Sequence, residues 1–144
     1  MLKLLDYVYA GVHIKFKMSE KQMTQRLIKA MENEYVHFLA HPTCRMIGRR
    51  ESLELDMDAL FDTAKQTNTR LEINSFPDRL DLNYLHAKRA KEHGIGLIIG
   101  TDAHFIENLP FIRYGIATAR RGWLEKKDIL NTNTLPQLTK ILNL

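Results

Sequence analysis

The chain has 144 residues, 44% of them hydrophobic and 26% charged, with a formal net charge of +4. This composition suits one soluble domain (1–144) with a sizeable core, and it excludes collagen-like, low-complexity and disulfide-stapled classes. A single cysteine, Cys44, rules out an internal disulfide and fits a reducing compartment. No apolar run nears the ~18 residues of a membrane span, so the cytoplasm is the expected location, with no membrane partner. The surplus of positive charge permits a polyanionic partner, although no long basic run demands one.

Leu4 to Val12 reads as a strand. Ser19 with Gln22 forms a capping box, and Met23, Leu27, Ala30 and Met31 recur at the spacing of a helix packed on a sheet. Tyr35 to Ala40 is a second strand, stopped by Pro42. Thr43 to Ser52 is a loop carrying Arg45, Arg49 and Arg50, and Asp56 starts a helix marked by Met57, Leu60, Phe61 and Ala64. Thr69 to Asn74 is a third strand, and Ser75 to Asp78 a turn. Residues 81–93 form a more polar helix, ended by Gly94 where a left-handed cap is wanted. The run Ile95 to Ile99 is a buried strand. Leu109, Ile112, Ile116 and Ala119 mark a fourth helix with Pro110 in its first turn, closed by Gly122-Trp123. Thr134 with Gln137 caps the last helix, whose apolar stripe is Leu135, Leu138, Ile141 and Leu142. The predicted class is α/β, an array of parallel βα units.

Metal-capable residues recur in phase with those units. His13, His41, Glu72 and Asp102 are separated by 28, 31 and 30 residues, and one strand, its helix and two loops take about 30. Right-handed crossovers then bring them to one edge of the sheet, beyond the strand C-termini, where α/β folds carry their sites. Asp102 and His104 stand two apart at the last strand tip. Imidazoles at His13, His41 and His104 with the Asp102 carboxylate suit zinc, manganese or iron, ions that polarise phosphoryl oxygens and activate water. Glu72 stands as a further ligand, a group orienting one, or a strand cap. Arg45, Arg49 and Arg50 follow His41 and offer guanidinium forks for phosphate or DNA, unless they form a solvated loop. His37 reads as a satisfied sheet residue, while His86 and His93 lie out of phase. Cys44 lacks a base at a diagnostic spacing, and Trp123 reads as a packing anchor.

Six segments stand in order: Gly11-Val12-His13, Ala40-His41-Pro42-Thr43, Leu71-Glu72-Ile73-Asn74, Pro77-Asp78-Arg79-Leu80-Asp81-Leu82, Thr101-Asp102-Ala103-His104, and the run Tyr114 to Leu124. Together they resemble the C-terminal part of the PHP (polymerase and histidinol phosphatase) domain, in the form joined to bacterial family X DNA polymerases. The resemblance implies the C-terminal half of a distorted (β/α)7 barrel. It implies up to three divalent ions, manganese or zinc, and phosphoester hydrolysis, with 3′–5′ exonuclease action on DNA in repair. By the same resemblance His13 and His41 share one ion, Asp102 ligates a second and His104 a third, with Glu72 beside them. The family's His-x-His pair, further histidine and bridging glutamate do not occur here. Ile14-Lys15 replaces small polar residues, and Cys44 replaces a glycine. The chain is therefore expected to be truncated at its N-terminus and weak or inactive alone. Its partners would be the missing half-barrel, a polymerase domain, DNA through the parent enzyme, or a second copy. The alternative is a non-catalytic lobe supporting a polymerase or binding a partner chain.

Overall fold

Four parallel strands, interleaved with helices, organise the computed structural model, which describes residues 1–142. They are β1 (Tyr9–Ala10), β2 (Phe38–Leu39), β3 (Arg70–Asn74) and β4 (Leu97–Gly100), hydrogen-bonded side by side in chain order. The crossovers carry α1 (Glu20–Met31), α2 (Met57–Thr67) and α3 (Tyr84–Glu92), and α4 (Ile112–Arg121) and α5 (Leu135–Leu142) follow β4. The α/β class and its parallel sheet thus agree with the sequence pattern.

Alternation along the strands divides the molecule. Leu39, Leu71, Ile73, Leu97 and Ile99 meet Met23, Leu27 and Met31 of α1, Leu60, Phe61 and Ala64 of α2, and Ala87 and Ala90 of α3 in one buried cluster. Phe38 and Ile98 belong to a second cluster with Leu130 and Leu142, where α5 packs. This second side is only partly covered: Tyr9 stacks on Phe38 at 4.4 Å yet remains exposed, as does Tyr7 beside it.

Helix starts follow local chemistry. Ser19 and Gln22 form the expected reciprocal box, and the Asp56 carboxylate accepts from the Ala59 amide at 3.0 Å. Gly94 takes φ 76°, the left-handed turn after α3. The two sheet edges differ. At β4 the Asn131 side chain accepts from the Ile99 amide (2.7 Å) and donates to the Ile99 carbonyl (3.0 Å), standing in for a further strand. At β1 the expected strand Leu4–Val12 shrinks to two residues, because Leu2–Leu4 coils into a 3₁₀ turn and Leu4 and Leu5 stay largely exposed.

Other boundaries move for physical reasons. The second strand begins at Phe38 because the Val36 amide closes a turn on Asn33. His37 still serves the sheet, its ring accepting from the Val8 amide at 3.2 Å. α3 starts late because Asn83 caps it, accepting from Leu85 and His86, while Asp81 pairs with Asn74 instead. The fourth helix is split: Ile106–Phe111 is 3₁₀ and carries Pro110, so Leu109 faces solvent outside α4. Trp123 is no packing anchor. It is 67% exposed at φ 56°, its carbonyl held by Lys91 and its ring under Lys88. Gly115 lets α4 close on the sheet, since a Cβ there would lie 2.8 Å from Ser75 Cβ.

Candidate functional site

All four strands run the same way, so the segments after them emerge at one edge. His13 and His41 meet there edge to face, ring centroids 5.1 Å apart. Gly11 lies under both: a Cβ on it would come within 3.1 Å of His41 Cε1 and 3.3 Å of His13 Nε2. His41 and Asp102 hold left-handed backbone, φ 30° and 53°, at non-glycine positions. Such conformations cost free energy and concentrate at functional sites.

Glu72, from β3, is buried beneath this edge. Its Oε2 accepts from the His41 amide at 2.7 Å and from Asn74 Nδ2 at 3.3 Å, so it fixes the His41 turn through the backbone. Burial pushes its carboxyl up to about 7, against the pull of those two donors. His41 is buried too, and burial, with the Arg79 charge next, lowers its imidazole to about 4. It is neutral at pH 7, the form that ligates metals. His104 is exposed, and its Nδ1 donates to the Asp102 carbonyl at 2.8 Å, which leaves the Nε2 lone pair outward. An open cavity of about 530 Å³, walled by Phe105, Ile106 and Leu109, lies against His104.

Asp102 is already engaged. Arg79 Nε donates to its Oδ2 at 2.9 Å, with both side chains mostly shielded from solvent. Sequence reasoning missed Arg79: it sits in the Pro77–Leu82 run, but five residues past β3 in an irregular loop no periodicity reaches. Among the described residues no three His, Cys, Asp or Glu side chains are placed to hold a metal ion. The donor types suit a divalent ion, but the set is not closed: the two imidazoles meet edge to face, the carboxylate is taken up by an arginine, and His104 is exposed and bonded to the Asp102 carbonyl.

The three arginines after His41 do different work. Arg45 Nε donates to the Arg79 carbonyl at 2.6 Å, and its Nη2 to the Leu80 carbonyl, clamping the loop that presents Arg79. Arg50 donates to the Cys44 carbonyl at 2.8 Å and covers the Phe16 ring at 3.9 Å. Arg49 is largely exposed, 3.8 Å from Asp78. Arg45→Ala should therefore lower stability by about 1–3 kcal/mol through the two carbonyls it strands. Arg49→Ala should change it by less than about 0.5 kcal/mol. Urea unfolding of the two variants checks this, and equal costs would return Arg45 to the status of a surface cation. Cys44 is buried, and burial raises its thiol to about 11, so it offers no thiolate at neutral pH.

Over 99% of its length the chain is 43% identical to the DNA polymerase/3'-5' exonuclease PolX of Bacillus subtilis (strain 168), of which it spans 25%. It is 27% identical, over 92% of its length, to a probable phosphatase of Thermoanaerobacter sp. (strain X514), spanning 56% of that protein. A probable phosphatase of Clostridium botulinum is 33% identical over 71% of the chain, which spans 42% of it. No family model matches. The chain is thus homologous to a part of PolX and of PHP-type probable phosphatases.

Proposed function

We propose that this chain forms the C-terminal half of a PHP barrel and a module of a metal-dependent phosphoesterase, of the 3′–5′ exonuclease kind that accompanies a family X DNA polymerase in repair. What supports this reading is that His13, His41, Glu72 and Asp102 stand on or just after four adjacent parallel strands, with His13 against His41 and Glu72 on the His41 amide. It occurs in a chain 43% identical to PolX over nearly its full length. His13, His41, Asp102 and His104 are the proposed ligands for manganese or zinc, with Glu72 positioning His41. The partly covered sheet side bearing Tyr7 and Tyr9 fits a barrel interior awaiting further strands. DNA and a polymerase domain are the proposed partners, with Arg49 the most accessible of the three loop arginines for phosphate.

The second reading, a lobe without catalysis of its own, is favoured by the open ligand set. The two separate in one experiment on the purified 144-residue chain: supply manganese, then assay single-stranded DNA and a simple phosphate ester. The expected result is slow, manganese-stimulated release from the DNA 3′ end that disappears in Asp102→Ala. Turnover that Asp102→Ala leaves intact would remove the site from the reaction. Absence of turnover in a folded chain would favour the supporting lobe.

A further inference from the structure

We propose that Arg79 is a built-in competitor for the metal: its guanidinium occupies the Asp102 carboxylate in the chain as folded, and an ion reaches Asp102 only against that cation. The inference rests on Asp102 being a metal ligand, as in the function proposed above.

Three observations carry it. Arg79 Nε is 2.9 Å from Asp102 Oδ2, a charge-assisted hydrogen bond in a shielded spot. Arg79 Nη1 is buried and has no hydrogen-bond partner among the described residues, so that nitrogen is not spent on a second acceptor. The loop that presents it is held from several sides. Arg45 clamps the Arg79 and Leu80 carbonyls, the Ile47 amide donates to the Asp78 carbonyl at 2.6 Å, and the Arg79 and Leu80 amides both donate to the Phe76 carbonyl. Asn74 fixes the loop's base, its side chain accepting from the Phe76 amide at 3.0 Å. An arginine on so restrained a loop cannot withdraw freely. It neutralises Asp102 where a divalent cation would, and it repels any cation that approaches the neighbouring imidazoles.

The charge balance gives the sign. A guanidinium about 5 Å from a dication weakens its binding by about tenfold even at the dielectric of water. A merely structural arginine gives the opposite sign, since its loss would loosen Asp102 and weaken binding.

The test uses the full chain with Mn²⁺ alone, free ion being read by electron paramagnetic resonance. Arg79→Met keeps the stem and removes the charge, and it should tighten Mn²⁺ binding by about tenfold. Arg79→Lys keeps the charge and should stay within about twofold of the parent. Arg79→Gln repeats the charge removal with a polar side chain, should circular dichroism show Arg79→Met unfolded. In the Asp102→Asn background the gain from Arg79→Met should vanish. Unchanged or weaker binding in both neutral variants, with Asp102→Asn still impairing the parent, overturns the competition while leaving Asp102 a ligand. Binding indifferent to Asp102→Asn overturns both this inference and the metal assignment.

Discussion

Gly100→Ala should cost about 2–4 kcal/mol and dismantle the candidate site. The new methyl would fall on Glu72 Oε1, with Glu72 Cδ only 3.1 Å away. Register explains the collision. Glu72 pairs with Ile98 and Asn74 with Gly100, so the Glu72 side chain lies on the same side of the sheet as Gly100 and leans across it. Relief is hard to find. The carboxylate is buried and held by the His41 amide and Asn74, and moving it strands the amide that shapes the His41 turn. Gly96→Ala is the matched control on the same segment. Its Cβ meets the Arg70 side chain, at 2.7 Å from Cδ, and Leu130 Cδ1 at 2.9 Å, groups that can shift in part. Thermal melts should fall by about 5–10 °C for Gly100→Ala and by clearly less for Gly96→Ala. Equal melting of Gly100→Ala and the parent would mean that Glu72 can leave its place without cost.

Much of this was legible in sequence because periodicity is a local signal. The stripe Met23, Leu27, Met31 and the stripe Leu60, Phe61, Ala64 both lie buried against the sheet, and the caps Ser19 and Asp56 act as their residue types require. The roughly thirty-residue spacing follows the strand repeat: His13, His41 and Asp102 stand two or three residues past β1, β2 and β4, and Glu72 stands within β3. It could not show where each side chain spends its charge. Arg45 looked like a phosphate fork beside His41, yet two carbonyls thirty-odd residues away hold it. Arg79 had no periodic mark at all, because its place depends on a loop folded by long-range hydrogen bonds. The left-handed turns at His41 and Asp102 were equally silent: both residue types tolerate that region better than most, but their flanking residues carry no turn signal that singles out these two positions. Strand lengths failed at the edges for a related reason. An apolar run such as Leu4–Val12 makes a strand only where neighbours pair with it, and Leu4 and Leu5 meet none.

Between pH 4 and 7.5, with chelator present, the chain should lose about 3 kcal/mol of stability, the net of three buried groups. Glu72 rises from 4.5 to about 7, and Asp81, wholly buried with one oxygen unpartnered, rises from 3.8 to about 6. Burial is the first cause in both, because the charged carboxylate loses its water. The folded chain therefore holds protons at these groups that the unfolded chain has released. Their contribution is full below about pH 4 and is lost as pH climbs through 6 and 7. His41 works the other way. Lowered from 6.5 to about 4, it binds fewer protons folded than unfolded, so its contribution grows as pH rises across the same window. Each shift spans two units or more, about 3 kcal/mol apiece, and two falling terms against one rising term leave a net fall. Glu72→Gln removes one falling term, so its stability should be nearly level from pH 4.5 to 7.5. His41→Asn removes the opposing one, so its decline should steepen to about twice that of the parent. Urea midpoints at half-unit pH steps, in chelator so that no ion reports through the imidazoles, give all three curves. Parallel curves for the parent and Glu72→Gln would show that Glu72 titrates alike in the folded and the unfolded chain. That would mean water reaches it from the open side of the sheet.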